Sequence, residues 1–112
     1  MELSGCRRHQ RFQYQGVVFI SWKMFHGERN YALGRCLDVS EQGLGLELSA
    51  RVPVGSFVRV RAYELNIDCS ATVRHIARRA AGYGLGLELS EPVDAEVLAT
   101  LGASELEAVA AS

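Results

Sequence analysis

The sequence predicts a mainly β protein: a six-stranded antiparallel barrel with an extended N-terminal arm and a C-terminal helix. Three observations carry that expectation. Apolar and polar residues alternate with period two in several stretches, the spacing of a strand with one face buried. The stretches are short and separated by turn-forming residues such as Gly27, Asn30, Pro53 and Gly55. Only beyond Pro92 does the composition become helix-forming. The 112 residues suit one domain, and a hydrophobic fraction of 48% is enough for one packed core. The expected division is residues 1–16 as an arm, 17–90 as the barrel and 91–112 as a helical segment.

Val17 to Met24 (VVFISWKM) is rich in β-branched and aromatic residues and reads as the first barrel strand, with Phe19 and Trp22 as core or sheet-packing residues. A polar break from His26 to Asn30 follows. Tyr31 to Val39 reads as the second strand, running into a turn over Asp38 to Gly43. There Asp38 and Ser40 can cap locally and Gly43 can take positive φ. Leu44, Leu46 and Leu48 alternate with Gly45 and Glu47 in the next strand. Val58, Val60 and Ala62 alternate with Phe57, Arg59 and Arg61 in the one after. Ile67 to Ile76 and Tyr83 to Leu89 complete the set, with a turn from Arg78 to Gly82.

One heptapeptide, GLGLELS, occurs at residues 43–49 and again at 84–90. Two copies do not make a solenoid. They read as neighbouring strands meeting one requirement, with leucines inward and glycines leaving the other face flat where something approaches closely. In the tail, Ala95 to Leu101 and Ser104 to Ala111 read as helical stretches separated by Gly102. Ser104 and Glu107 have the spacing of a capping box, and Val97, Leu98 and Leu101 form an apolar stripe expected to lie over the barrel.

The charge balance is near neutral, with 12 Lys plus Arg against 13 Asp plus Glu. A field that gathers long nucleic acid is not expected, so neither DNA nor RNA is an expected partner. The distribution is uneven. Arg7, Arg8, His9 and Arg11 stand together with no acid among them, whereas Glu91, Asp94, Glu96, Glu105 and Glu107 share the tail with no Lys or Arg. A local anion site near the N-terminus fits this pattern. No run is apolar and long enough to insert in a membrane, and the N-terminal residues lack the apolar segment of a secretory signal, so a cytoplasmic location is expected.

Arg7 and Arg11 fall on one side of either a helix or an extended arm, so their guanidinium groups can converge on one object. The planar fork of arginine suits phosphate, and its flat face stacks on rings. Asp38 can accept hydrogen bonds from the N–H edge of a guanine, and the Ser40 hydroxyl can bond a phosphate or sugar. From the residues alone, the simpler reading of each segment is a solvated charge run or a locally capped turn.

The two motifs in order are more specific. An R-x-x-x-R pair on an arm (Arg7, Arg11) is followed about 30 residues later by D-x-S-x-x-G (Asp38, Ser40, Gly43), ahead of a leucine-alternating strand. Over roughly residues 6 to 101 the chain resembles the PilZ domain family. That resemblance implies a non-catalytic receptor for the bacterial second messenger cyclic di-GMP, with no cofactor besides this ligand. It implies that Arg7 and Arg11 contact phosphate and stack on guanine and that Arg8 is an additional motif arginine. Asp38, Ser40 and Gly43 would line the guanine and phosphate site. Cys6, just before the motif, and His9, within it, would lie at the periphery. Where family members often carry Phe in the last strand, this chain has Leu87, a difference of packing. A domain without an output module is expected to act on another protein when it binds ligand. The alternative is a protein-interaction module of the same fold working without nucleotide, as in pilus assembly.

Other chemistries fit less well. Cys6, His9, Cys36 and Cys69 include no Cys-x-x-Cys pair, and the last two fall mid-strand, so a zinc site is not expected. Three widely spaced cysteines do not make a disulfide framework. Nothing sets a base, an orienting group and an oxyanion donor around a cysteine with His26 or His75, and His75 reads as a peripheral site residue or surface group.

Overall fold

The computed structural model describes the backbone of residues 10–111 and the side chains of residues 10–103. Seven strands and one helix follow in order: β1 (Phe12–Gln13), β2 (Val17–Lys23), β3 (Arg29–Ser40), β4 (Gly43–Leu48), β5 (Phe57–Ala62), β6 (Ile67–Arg79), β7 (Gly82–Leu89) and α1 (Ala95–Ala111). All pairings are antiparallel. Six strands close on themselves in the order β3-β2-β5-β6-β7-β4, with β4 returning to β3, which leaves no open sheet edge around the barrel.

Closure follows from the alternation. In β2, Val18, Ile20 and Trp22 turn inward, and in β5 Val58, Val60 and Ala62 do so. The two GLGLELS copies form β4 and β7 and pair with each other, Leu44 opposite Leu87, Leu46 opposite Leu85 and Gly45 opposite Gly86. The antiparallel register puts leucines on one face of both strands, and Leu44, Leu46, Leu48, Leu85, Leu87 and Leu89 are all buried. Burying an aliphatic side chain of this size contributes about 1.5–3 kcal/mol, so this pair of strands is a principal source of core stability. Cys36 and Cys69 are free thiols buried in the same core, on β3 and β6.

Several expectations are corrected. The turn after β3 is only Glu41 and Gln42, and Asp38 and Ser40 lie in the strand itself, opposite Gly45 and Gly43. Gly43 is absent from the positive-φ residues, so its small size answers a spatial constraint and not a turn conformation. The β6–β7 turn is confined to Ala80 and Ala81, because β6 continues to Arg79. Phe19 is 45% exposed: strand parity places it opposite in sense to Val18 and Ile20. The helical tail is not interrupted at Gly102. α1 runs unbroken from Ala95, so Ser104 is helix interior and no capping box forms there. Gly102 lies against the Phe12 ring, where an added Cβ would make an ordinary 3.4 Å contact, so the fold does not require glycine there. The helix instead begins at Asp94, whose Oδ1 accepts the Glu96 backbone N–H at 2.8 Å. Val97, Leu98 and Leu101 pack against the core, as the stripe predicts.

Candidate functional site

The arm reaches the barrel along one edge of β3. Phe12 pairs with Val39 and Gln13 with Asp38. The Tyr14 N–H donates to the Leu37 carbonyl at 3.3 Å, and the Cys36 N–H donates to that of Gly16 at 2.8 Å. The Tyr14 hydroxyl donates to Glu64 on the turn between β5 and β6. Burial, reinforced by that hydrogen bond, pushes the Tyr14 phenol up to about 12, so the donor keeps its proton. This anchoring sets Arg11, one residue ahead of the Phe12–Val39 pair, beside Ser40.

A β-bulge in β3 between Cys36 and Asp38 turns the end of the strand. The Cys36 thiol donates across it to the Asp38 carbonyl at 3.5 Å. Burial, and secondarily the nearby Asp38 carboxylate, push this thiol up to about 12, which keeps it a neutral core group. Past the bulge the Asp38 carboxylate lies across Gly45: a Cβ there would be 2.7 Å from Asp38 Oδ1. Arg11 Nη1 stands 3.4 Å from the same oxygen. Both atoms are shielded from solvent, and neither makes a hydrogen bond among the described residues. Ser40, 6% exposed, is the buried polar residue beside them.

Arg11, Ser40 and Gly43 line a cleft of about 380 Å³ together with Gln42, Arg74, His75, Gly86, Leu87 and Glu88. A second bulge, in β6 between Val73 and His75, feeds this cleft. It directs Arg74 to Glu88, with Nε donating to Oε1 at 2.5 Å. It also lays the His75 ring over Gly86, where an added Cβ would come within 2.2 Å of Nε2. The turn bearing Gln42 is held from behind, since the Leu89 N–H donates to the Gln42 carbonyl and the Val93 N–H to that of Glu41.

Of the sequence-predicted site residues, Arg11, Asp38, Ser40 and Gly43 are gathered at one end of the barrel. Arg7, Arg8, Cys6 and His9 lie outside the described residues. His75, which from sequence reads as a peripheral or surface group, lines the cleft. Arg74, Gln42 and Glu88 were not anticipated from sequence. The repeat held the missing signal: once its two copies pair, Gly86 opens the surface that His75 covers, and Arg74 is the neighbour displaced by the bulge. The arrangement offers the Arg11 guanidinium and the Ser40 hydroxyl in one cleft, with the Asp38 carboxylate paired to that guanidinium, groups that can meet an anion and a polar ring edge together. Among the described residues no cluster of three or more His, Cys, Asp or Glu could hold a metal, and no helix is long and apolar enough to cross a membrane.

Comparison with known proteins agrees with this architecture. YcgR from Escherichia coli, solved in complex with c-di-GMP, superposes with a TM-score of 0.59 at 21% identity, over 93% of this chain and 47% of that one. The Bacillus subtilis Inhibitor of motility (MotI/DgrA) gives 0.56 at 19% identity, over 93% of this chain and 52% of the other. The chain thus spans about half the length of these two proteins. The PilZ domain of E. coli YcgR with c-di-GMP gives 0.55 at 18% identity, over 86% of both chains. Among curated proteins none matches the chain. The family model for the PilZ domain matches residues 6–104, nearly the whole sequence, and the chain belongs to the PilZ domain family.

Proposed function

We propose that this domain is a non-catalytic receptor for cyclic di-GMP and that it acts, when liganded, on another protein. The observation that carries the reading is the Arg11–Asp38 pair. Two complementary polar atoms are held out of water, 3.4 Å apart and without a hydrogen bond among the described residues, next to Ser40 and the open cleft. Buried polar groups with unmet hydrogen bonds are costly, so an ion pair held short of hydrogen bonding is suited to a ligand that supplies those bonds. In this reading Arg11, joined by Arg7 and Arg8, forks onto phosphate and stacks on guanine. Asp38 accepts from the guanine edge, while Ser40 and Gly43 line the phosphate and sugar. The family match over residues 6–104, a range that includes both motifs, and the c-di-GMP bound in the E. coli YcgR structures support the choice of ligand.

Thermal unfolding with and without nucleotide tests it. A ligand at 100 times its Kd stabilises the folded state by about 2.7 kcal/mol, so cyclic di-GMP should raise Tm by several degrees and GMP at equal concentration should not. An unchanged Tm with cyclic di-GMP would count against the receptor reading. Capture of the same partner protein equally with and without nucleotide would leave the fold acting as an interaction module alone.

A further inference from the structure

We infer that the outer face of β2, β3 and β5 is a protein-docking surface for an acidic segment carrying a bulky apolar residue. This face is distinct from the nucleotide cleft, shares no lining residue with it, and the inference stands whether or not nucleotide binds there.

The face is a shallow groove of about 620 Å³. The strand register lays out its floor as two rows. Leu33, Phe19 and Arg61 are cross-strand neighbours in one, and Tyr31, Ser21 and Arg59 in the next. Tyr63 closes the end, its ring edge-on to Phe19 with centroids 6.1 Å apart and the Arg61 guanidinium 6.0 Å above it. Phe19, Tyr31, Leu33 and Tyr63 are 45%, 74%, 62% and 70% exposed. Single exposed apolar residues are ordinary, but three on one sheet face with a fourth closing its end mark an interaction site.

The charges say what kind of partner fits. The β2–β3 half of the groove is apolar and the β5 half carries two arginines, and no carboxylate lines it. Arg59 and Arg61 share the single carboxylate of Asp68, at 2.8 and 3.6 Å. One anion between two cations leaves a net positive rim, and each guanidinium keeps free donor positions. Neighbouring strands are about 4.8 Å apart, so a partner carboxylate about 5–10 Å from a bulky apolar side chain reaches both halves at once. Successive turns of a helix supply that spacing.

Two other occupants are disfavoured by the same groups. A second copy docking symmetrically would bring the same patch, which is lined by two arginines and no carboxylate, and so offers them no acid. A nucleic acid would bring phosphates against the Asp68 carboxylate that stands between the two arginines.

The test uses the full chain without nucleotide. A library of random displayed peptides is selected on the wild type, with the Phe19→Ser, Leu33→Ser double variant as counter-selection. The expected winners place Asp or Glu near a bulky apolar residue. A winning peptide should shift the backbone amide signals of Phe19, Leu33 and Arg61, and Arg61→Glu should weaken it about tenfold, the effect of losing one well-placed charged contact. The double variant must keep its amide dispersion. If it does not, Tyr31→Ser, at an outward and highly exposed position, replaces it. The inference is overturned if wild type and variant select the same peptides, or if the winners carry no excess of acidic residues. Shifts mapping to another face overturn it as well. So does movement of these amides by a dT12 oligonucleotide or by self-association alone.

Discussion

Replacing Gly45 with Ala should disable the proposed nucleotide site while leaving the barrel intact. Gly45 is opposite Asp38 in the β3–β4 pair and faces outward with it. A Cβ at this position would stand 2.7, 3.2 and 3.4 Å from Asp38 Oδ1, Cγ and Oδ2. Ordinary contact begins near 3.4 Å. The carboxylate must therefore move by about 0.7 Å or rotate away, which a side-chain terminus does cheaply through a χ change. Its pairing with Arg11 at 3.4 Å would be lost. The two side chains are 34% and 36% exposed, so screening keeps the stability lost with that pair to about 0–1 kcal/mol. Alanine in a strand regains about 0.5–1 kcal/mol over glycine. The net change in stability is close to zero, and Tm should stay within about 4 °C of wild type. Ligand affinity behaves differently. A hydrogen bond to a charged group is worth about 1.5–3 kcal/mol, so cyclic di-GMP binding should weaken about 10- to 150-fold. Calorimetric titration and a thermal melt on the same sample read both quantities. Wild-type affinity in Gly45→Ala would refute the placement of Asp38 in the site. A loss of affinity accompanied by a large fall in Tm would refute the separation of site from scaffold.

Three further outcomes follow from other regions of the barrel. Glu47 accepts from Arg35 at 2.6 Å and from Arg79 at 2.7 Å, and these hydrogen bonds hold its carboxyl below the ordinary 4.5. Its stabilisation is present above that ordinary value and is lost as pH falls through the lowered folded one. Acid titration of stability should therefore lose some of its slope in Glu47→Gln, and an unchanged profile would contradict the ion-pair geometry. Cys36 and Cys69 are buried, and Cys36 is held protonated by burial, so thiol reagents should modify them only at the rate of unfolding; rapid labelling of either in the native protein would contradict the core assignment. Gly82 has φ +151° and would place a Cβ 2.3 Å from the Leu48 carbonyl oxygen, whereas Gly27, at φ +99°, has open space around it. Gly82→Ala should cost about 2–5 kcal/mol in denaturant melts and Gly27→Ala about 1–2 kcal/mol, and equal costs would show that the contact with β4 is not real.

The barrel is legible in the sequence because period-two alternation is a direct record of one-sided burial, and it is clearest in β4, β5 and β7. Phe19 shows how the same record misleads: its parity with Val17 and Ser21 places it outside, but its apolar character suggests the core. The strand ends are less legible. Asp38 and Ser40 have turn-forming chemistry, yet pairing with Gly45 and Gly43 on one side and with the arm on the other holds Asp38 in the strand, and only tertiary contacts decide that. Gly102 suggests a break because glycine disfavours helix interiors, yet a single glycine costs a helix only about 1 kcal/mol and the helix runs through it. Within the site, the Arg11–Asp38 pairing and the approach of Arg74 and His75 depend on the bulges in β3 and β6. A bulge adds one residue to one strand only, and nothing in either strand's composition marks where it falls.

The most direct test of the account is calorimetric titration of the full chain and of Arg11→Ala with cyclic di-GMP. The account predicts a wild-type Kd of about 1 µM or tighter, near −8 kcal/mol, and loss of most of that affinity in Arg11→Ala with the fold retained. Absence of binding heat from the wild type, or equal affinity in the two proteins, would contradict it.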